Sequence, residues 1–147
     1  MSAERPTKRT FLLLALLSVS AAAAAASAQT LTDELAERSG VSPLQVTMLL
    51  ANCDANQTSM KFCAWRDELA AERTLRHLIE EKRATSPQCG AVLAKKVAAW
   101  QKRRDATCRK SAEQQWGGGS MLSAAVAMCA TDRTKQMMQT LSSNSCP

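Results

Sequence analysis

Six cysteines and one histidine bound the chemistry open to this chain. Cys53, Cys63, Cys89, Cys108, Cys129 and Cys146 include no C-x-x-C pair, and His77 is remote in sequence from most of them, so no metal site is expected. Serine and cysteine nucleophile systems need a well-placed histidine with partners, and a chain holding His77 alone is not expected to be an enzyme. An even number of thiols in an oxidising compartment reads instead as three disulfides. Met48, Met60, Met121, Met128, Met137 and Met138 could bind soft copper there, but methionine at helical spacing is expected to fill a core. Gly117-Gly118-Gly119 follows one helical segment, precedes another and lacks the Lys-Ser/Thr of a phosphate loop. No cofactor follows from any of these residues.

The oxidising compartment is itself a reading of the sequence. Arg5, Lys8 and Arg9 precede an apolar run from Phe11 to Leu17, an alanine tract follows, and Ala26-Ser27-Ala28 closes the segment, so residues 1–28 are expected to be a secretory signal peptide. The remainder, 29–147, is expected to form a single domain, periplasmic or secreted, and not membrane-spanning after cleavage. With 46% hydrophobic and 22% charged residues the chain is neither disordered nor polytopic. Its formal charge of +6 falls to +4 once Arg5, Lys8, Arg9 and Glu4 leave with the signal, a mild basicity that favours anionic surfaces without naming one. Asn56-Gln57-Thr58 is a glycosylation sequon, relevant only where the secretory system uses it.

The elements that must position these residues are helical. Ala, Leu, Glu, Lys, Arg and Gln dominate, tyrosine is absent and β-branched residues do not cluster, which predicts an all-α fold. Thr32 is expected to cap a helix from Asp33 to about Arg38, ended by Ser39-Gly40, and Ser42 a second one with Pro43 at its first position, running to about Ala51. A long helix is expected from near Thr58 to about Arg83, where Thr85-Ser86-Pro87 breaks it, and another from about Gly90 to Gln115. Gly117, Gly118 and Gly119 then make a turn, and Ser120 is expected to cap a last helix to about Leu141. The result is a small bundle built on a long antiparallel helical hairpin.

That hairpin suggests the cysteine pairing. Cys108 stands nine residues before Gly117 and Cys129 nine after Ser120, so at about 1.5 Å per residue they lie at one height. Cys89 and Cys146 stand opposite each other at the open end, and Cys53 and Cys63 remain; of fifteen connectivities geometry prefers this one. The residues 35–46 read like a bacterial helix-turn-helix, but behind an export signal no nucleic-acid partner is expected. Lys95, Lys102 and Arg109 recur every seven residues, as do Lys96, Arg103 and Lys110, a stripe that is either a solvated face or a docking strip for an anionic envelope component. Trp100, Arg104 and Cys108 at i, i+4 and i+8 put a guanidinium on the apolar face, where it needs an acid, Glu72 or Asp67.

The run Trp100-Gln101-Lys102-Arg103-Arg104-Asp105-Ala106-Thr107-Cys108, then Gly118-Gly119-Ser120, then Cys129 with Thr134 and Leu141, resembles the lysozyme-inhibitor LprI-like N-terminal domain family and its W-x-x-Y-R-D-x-x-C, G-G-S and C-x4-T pattern. Cys53, Gln57, Met60, Cys63-Ala64, Ala71-Glu72 and Leu75 match more weakly upstream, so the resemblance spans about residues 53 to 141. Arg103 replaces the usual Tyr, Lys61 and Arg76 the usual Asn, and Met137 the usual Arg, while Cys89 and Cys146 look like an added staple. The resemblance implies an exported helical binding protein, with a c-type lysozyme as partner. Such lysozymes are strongly basic, so a basic chain would meet one through a local acidic or polar insertion. Asp54-Ala55-Asn56-Gln57 in the Cys53 to Cys63 loop and the Gly117 to Ser120 turn are the compact candidates.

Overall fold

The computed structural model describes residues 31–143; the expected signal segment and Cys146 lie outside the described residues. Five helices and no strand occur among those residues: α1 (31–39), α2 (Pro43–Leu50), α3 (Gln57–Thr85), α4 (Pro87–Trp116) and α5 (Leu122–Ser143). The fold is all-α. Helix α5 packs against both α3 and α4, and α2 packs on α3.

Local chemistry sets most of the boundaries, and the starts of four helices differ from the sequence expectation. Residue 31 is already helical, so Thr32 lies inside α1 rather than capping it. Gly40, at φ 69°, turns the chain into α2, whose Ser42 side chain accepts from the Gln45 N–H with Pro43 at the first position. Helix α3 starts one residue earlier than the Thr58 of the sequence reading, because the Asn56 side chain accepts from the Ser59 N–H. Ser86 alone, in an extended conformation, separates α3 from α4, so α4 begins at Pro87 and not at Gly90. Proline both denies α3 a continuation and pre-sets the first φ of the next helix. Gly117, at φ 60°, ends α4, and α5 begins at Leu122, too far along for Ser120 to cap it as expected.

Three apolar clusters hold these helices. Leu75, Ile79, Leu93, Val97 and Leu141 join α3, α4 and α5 at the end near Ser86. Leu35, Val46, Phe62 and Leu69 dock the α1–α2 pair onto α3. Ala64, Ala124 and Ala127 are small enough to let α3 and α5 approach closely beside the hairpin turn. The core-filling expectation holds for Met121, Met137 and Met138, which pack against these clusters, and fails for Met48, Met60 and Met128, which are exposed.

Among the described residues disulfides staple two places. Cys108 and Cys129 are bonded across the α4–α5 hairpin with Cα atoms 5.6 Å apart. Cys53 and Cys63 are bonded with Cα atoms 5.7 Å apart, tying the α2–α3 loop to the second turn of α3. Cys89 is buried in the cluster near Ser86. Its expected pairing falls on Cys146, outside the described residues.

Candidate functional site

Arg104 sits where α3, α4 and α5 meet, with 2% of its side chain exposed. Its Nη2 donates to Glu72 Oε1 at 2.7 Å, its Nη1 to Thr134 Oγ1 at 2.7 Å and its Nε to Asp105 Oδ1 at 2.8 Å. Trp100, one turn earlier on α4, places its ring 5.5 Å from the guanidinium carbon. Burial works against the charge, but the hydrogen bonds the guanidinium donates to Glu72 and Asp105 outweigh it and hold it protonated. Of the two acids the sequence offered as partners, Glu72 makes the contact, while Asp67 pairs with Arg66 at the surface. Among the described residues no buried side-chain nitrogen or oxygen lacks a hydrogen-bond partner.

A third carboxylate, Glu68, stands 4.0 Å from Arg104 Nη2, one helical turn before Glu72. Three acids therefore face one guanidinium. Burial, reinforced by repulsion from Glu72 and Asp105, pushes the Glu68 carboxyl up to about 7 despite the pull of Arg104. Glu68 and Trp65 line a cleft of about 430 Å³ between α3 and the hairpin, whose other wall carries Arg109, Ser120 and Ser123. The same two side chains line a second, smaller cleft with Leu35 and Arg38. Sequence reading missed both residues. The signal for Glu68 was present, since it shares a helix face with Glu72 at i, i+4, but one acid satisfied the pattern argument for Arg104.

The hairpin turn and the α2–α3 loop, read as separate candidates, meet at one end of the bundle. The Ser120 hydroxyl donates to Gln57 Oε1 at 2.7 Å, which sets the Gly117 to Ser120 turn beside the Asp54 to Gln57 segment. Gly117, Gly118, Gly119 and Ser120 are all exposed. Asp54 is exposed, with its backbone N–H bonded to Asn52 Oδ1; Asn56 is exposed but occupied as the cap of α3. Lys95 and Lys102 lie on the outer face of α4, away from this end, and only Arg109 of that stripe reaches the cleft. Among the described residues no group of three or more His, Cys, Asp or Glu could hold a metal ion, and no helix is long and apolar enough to cross a membrane.

These features define a class: an all-helical, disulfide-stapled domain organised round a buried, acid-ringed arginine, with a cleft of about 430 Å³ at the hairpin end. The chain belongs to the LprI family, since the family described as Lysozyme inhibitor LprI matches residues 51–141, more than half of its length. The match takes in the Cys53–Cys63 loop, α3, α4 and most of α5, and leaves α1 and α2 outside it. No curated protein and no solved structure matches the chain.

Proposed function

We propose that the protein is an exported, non-enzymatic binding protein that inhibits a c-type lysozyme. The observation that carries this reading is the family match over residues 51–141. Two disulfides among the described residues fit a periplasmic or secreted domain, released by cleavage after Ala28 as residues 29–147. The contact surface in this reading is the hairpin end, where the glycine turn, Asp54 and the Glu68 cleft lie together. A basic enzyme meets there a cluster of three carboxylates round one guanidinium, which no other arginine among the described residues gathers.

The test is a titration of the disulfide-intact protein with a c-type lysozyme, following binding and residual muramidase activity together. Saturable binding with loss of activity is the expected result. Absence of binding at tens of micromolar, an affinity weaker than about −6 kcal/mol, would overturn the reading.

A further inference from the structure

The outer face of α4 carries two rows of cations with small residues between them. Lys95, Lys102 and Arg109 form one row, Lys96, Arg103 and Lys110 the other, and all six are exposed. Helical residues turn about 100° each, so a seven-residue step keeps a row nearly straight, drifting by about 20°. The same geometry sets the two rows about 100° apart and places Val92, Ala99 and Ala106 between them. These three are exposed as well. A shallow trough with a valine and two alanines for its floor and long cationic side chains for its walls therefore runs along the helix. From Lys95 to Lys110 it extends about 22 Å, and successive cations in a row stand about 10 Å apart. Glu113 closes one end on the same azimuth as Lys95.

Several cations elsewhere on the bundle are paired: Arg38 with Glu34, Arg66 with Asp67, Arg83 with Glu80 and Arg104 with Glu72. No ion pair or side-chain hydrogen bond among the described residues engages the six cations of the trough. We infer that the trough is a docking site for a linear, phosphate-bearing polymer lying along α4. The charges call for a polyanion, and the walled, one-helix-wide shape with a flat small-residue floor suits a chain better than a plane. A bilayer would be met by a continuous apolar stripe, yet between the rows Val92 is the one large exposed hydrophobic, Trp116 adds a single ring where it continues the Lys95 row past Arg109, and Leu44, Met48, Met60 and Met128 lie on other helices. Lysine ammonium groups bind phosphate as point charges and tolerate the varied spacing of a flexible polymer. This inference does not rest on the lysozyme reading, although Arg109 belongs both to the trough and to the wall of the hairpin-end cleft.

The experiment titrates linear inorganic polyphosphate into the full, disulfide-intact protein across a range of salt. Binding is expected, with a log–log salt slope of about −4 for six contacts. The triple variant Lys95→Gln, Lys102→Gln, Arg109→Gln should bind about tenfold or more weakly and halve that slope. Removing as many exposed cations elsewhere, by Arg76→Gln, Arg133→Gln and Lys135→Gln, should leave binding unchanged. A trough-filling pair, Ala99→Leu with Ala106→Leu, keeps every charge and the helix propensity, and should still weaken binding. Absence of polyphosphate binding at low salt overturns the inference, as does equal loss in the two charge variants or indifference to the leucines. Binding to phosphatidylglycerol vesicles that exceeds polyphosphate binding and is lost in the first triple variant assigns the face to a membrane instead.

Discussion

Ser120 and Gln57 meet through a 2.7 Å hydrogen bond although 63 residues separate them in the chain. The bond ties the only turn of the bundle made of three successive glycines to the first residue of α3. A glycine turn left to itself samples many conformations, and every one lost on binding a partner costs entropy. Anchoring it at Ser120, with the Cys108–Cys129 disulfide closing the hairpin nine residues away, orders the turn before any partner arrives.

Ser120→Ala separates this ordering role from stability. The bond is exposed, so its loss should cost at most about 1 kcal/mol and leave the thermal midpoint close to the wild type. Under the lysozyme reading the affinity falls while the melt does not. A titration with lysozyme beside a thermal melt checks both, and an unchanged affinity would remove the turn from the contact surface.

Arg104→Met should be far more damaging, because it strands Glu72, Glu68 and Asp105 round an empty position. Breaking a buried pair from one side costs about 3–5 kcal/mol. Here the lower end is expected, since Glu72, Glu68 and Asp105 keep 19%, 26% and 58% of their side chains exposed and can recruit water. Adding Glu72→Leu to Arg104→Met should recover part of the loss. Chemical denaturation of the single and double variants measures the difference.

Glu68 makes stability fall as the pH rises. Its carboxyl titrates at about 7 in the folded chain against an ordinary 4.5, so the folded state holds a proton that the unfolded state has released between those values. Stability from this group is fully present below pH 4.5 and is lost as the pH climbs through 7. The loss amounts to about 1–3 kcal/mol, given partial exposure. Glu68→Gln should remove that slope and be more stable than the wild type at pH 8. Unfolding midpoints at pH 5 and pH 8 decide it; equal slopes in the two proteins would exclude Glu68 as the source.

The Cys108–Cys129 bond closes a loop 21 residues apart in sequence, which corresponds to about 3 kcal/mol of restricted unfolded chain. Replacing both cysteines by alanine should lower stability by about that much while leaving the helical content intact, as circular dichroism and denaturant unfolding would show.

Much of this arrangement was legible because its signals are local. The i, i+4, i+8 run of Trp100, Arg104 and Cys108 put a charge on an apolar face, and that is where Arg104 lies. Equal spacing about the triple glycine placed Cys108 opposite Cys129. What stayed hidden depends on contacts between distant segments. Nothing near Gln57 announces Ser120, and Glu68 acquires its raised pKa when the packed bundle buries it beside Glu72, with Asp105 of α4 adding a smaller push. Pro87 was read as a breaker of α3, although the same fixed φ also starts α4, and proline serves either role equally well.

Gly90 is the tightest point of the α3–α4 corner, and Gly90→Ala tests how rigid that corner is. In an isolated helix the change would favour folding by about 1 kcal/mol. Here the added Cβ would collide with both the Cα and the Cβ of Arg83, so backbone as well as side chain must give way. The two helices cannot part freely, because Ser86 is the single residue between them and its carbonyl accepts from the Gly90 N–H at 3.0 Å. Overpacking of this kind costs about 1–3 kcal/mol, which exceeds the propensity gain. Gly90→Ala should therefore lower stability, whereas Gly118→Ala, with open space around its Cα, should not. Thermal melts of the two variants compare them directly, and a neutral Gly90→Ala would mean that α3 and α4 can slide apart at this corner.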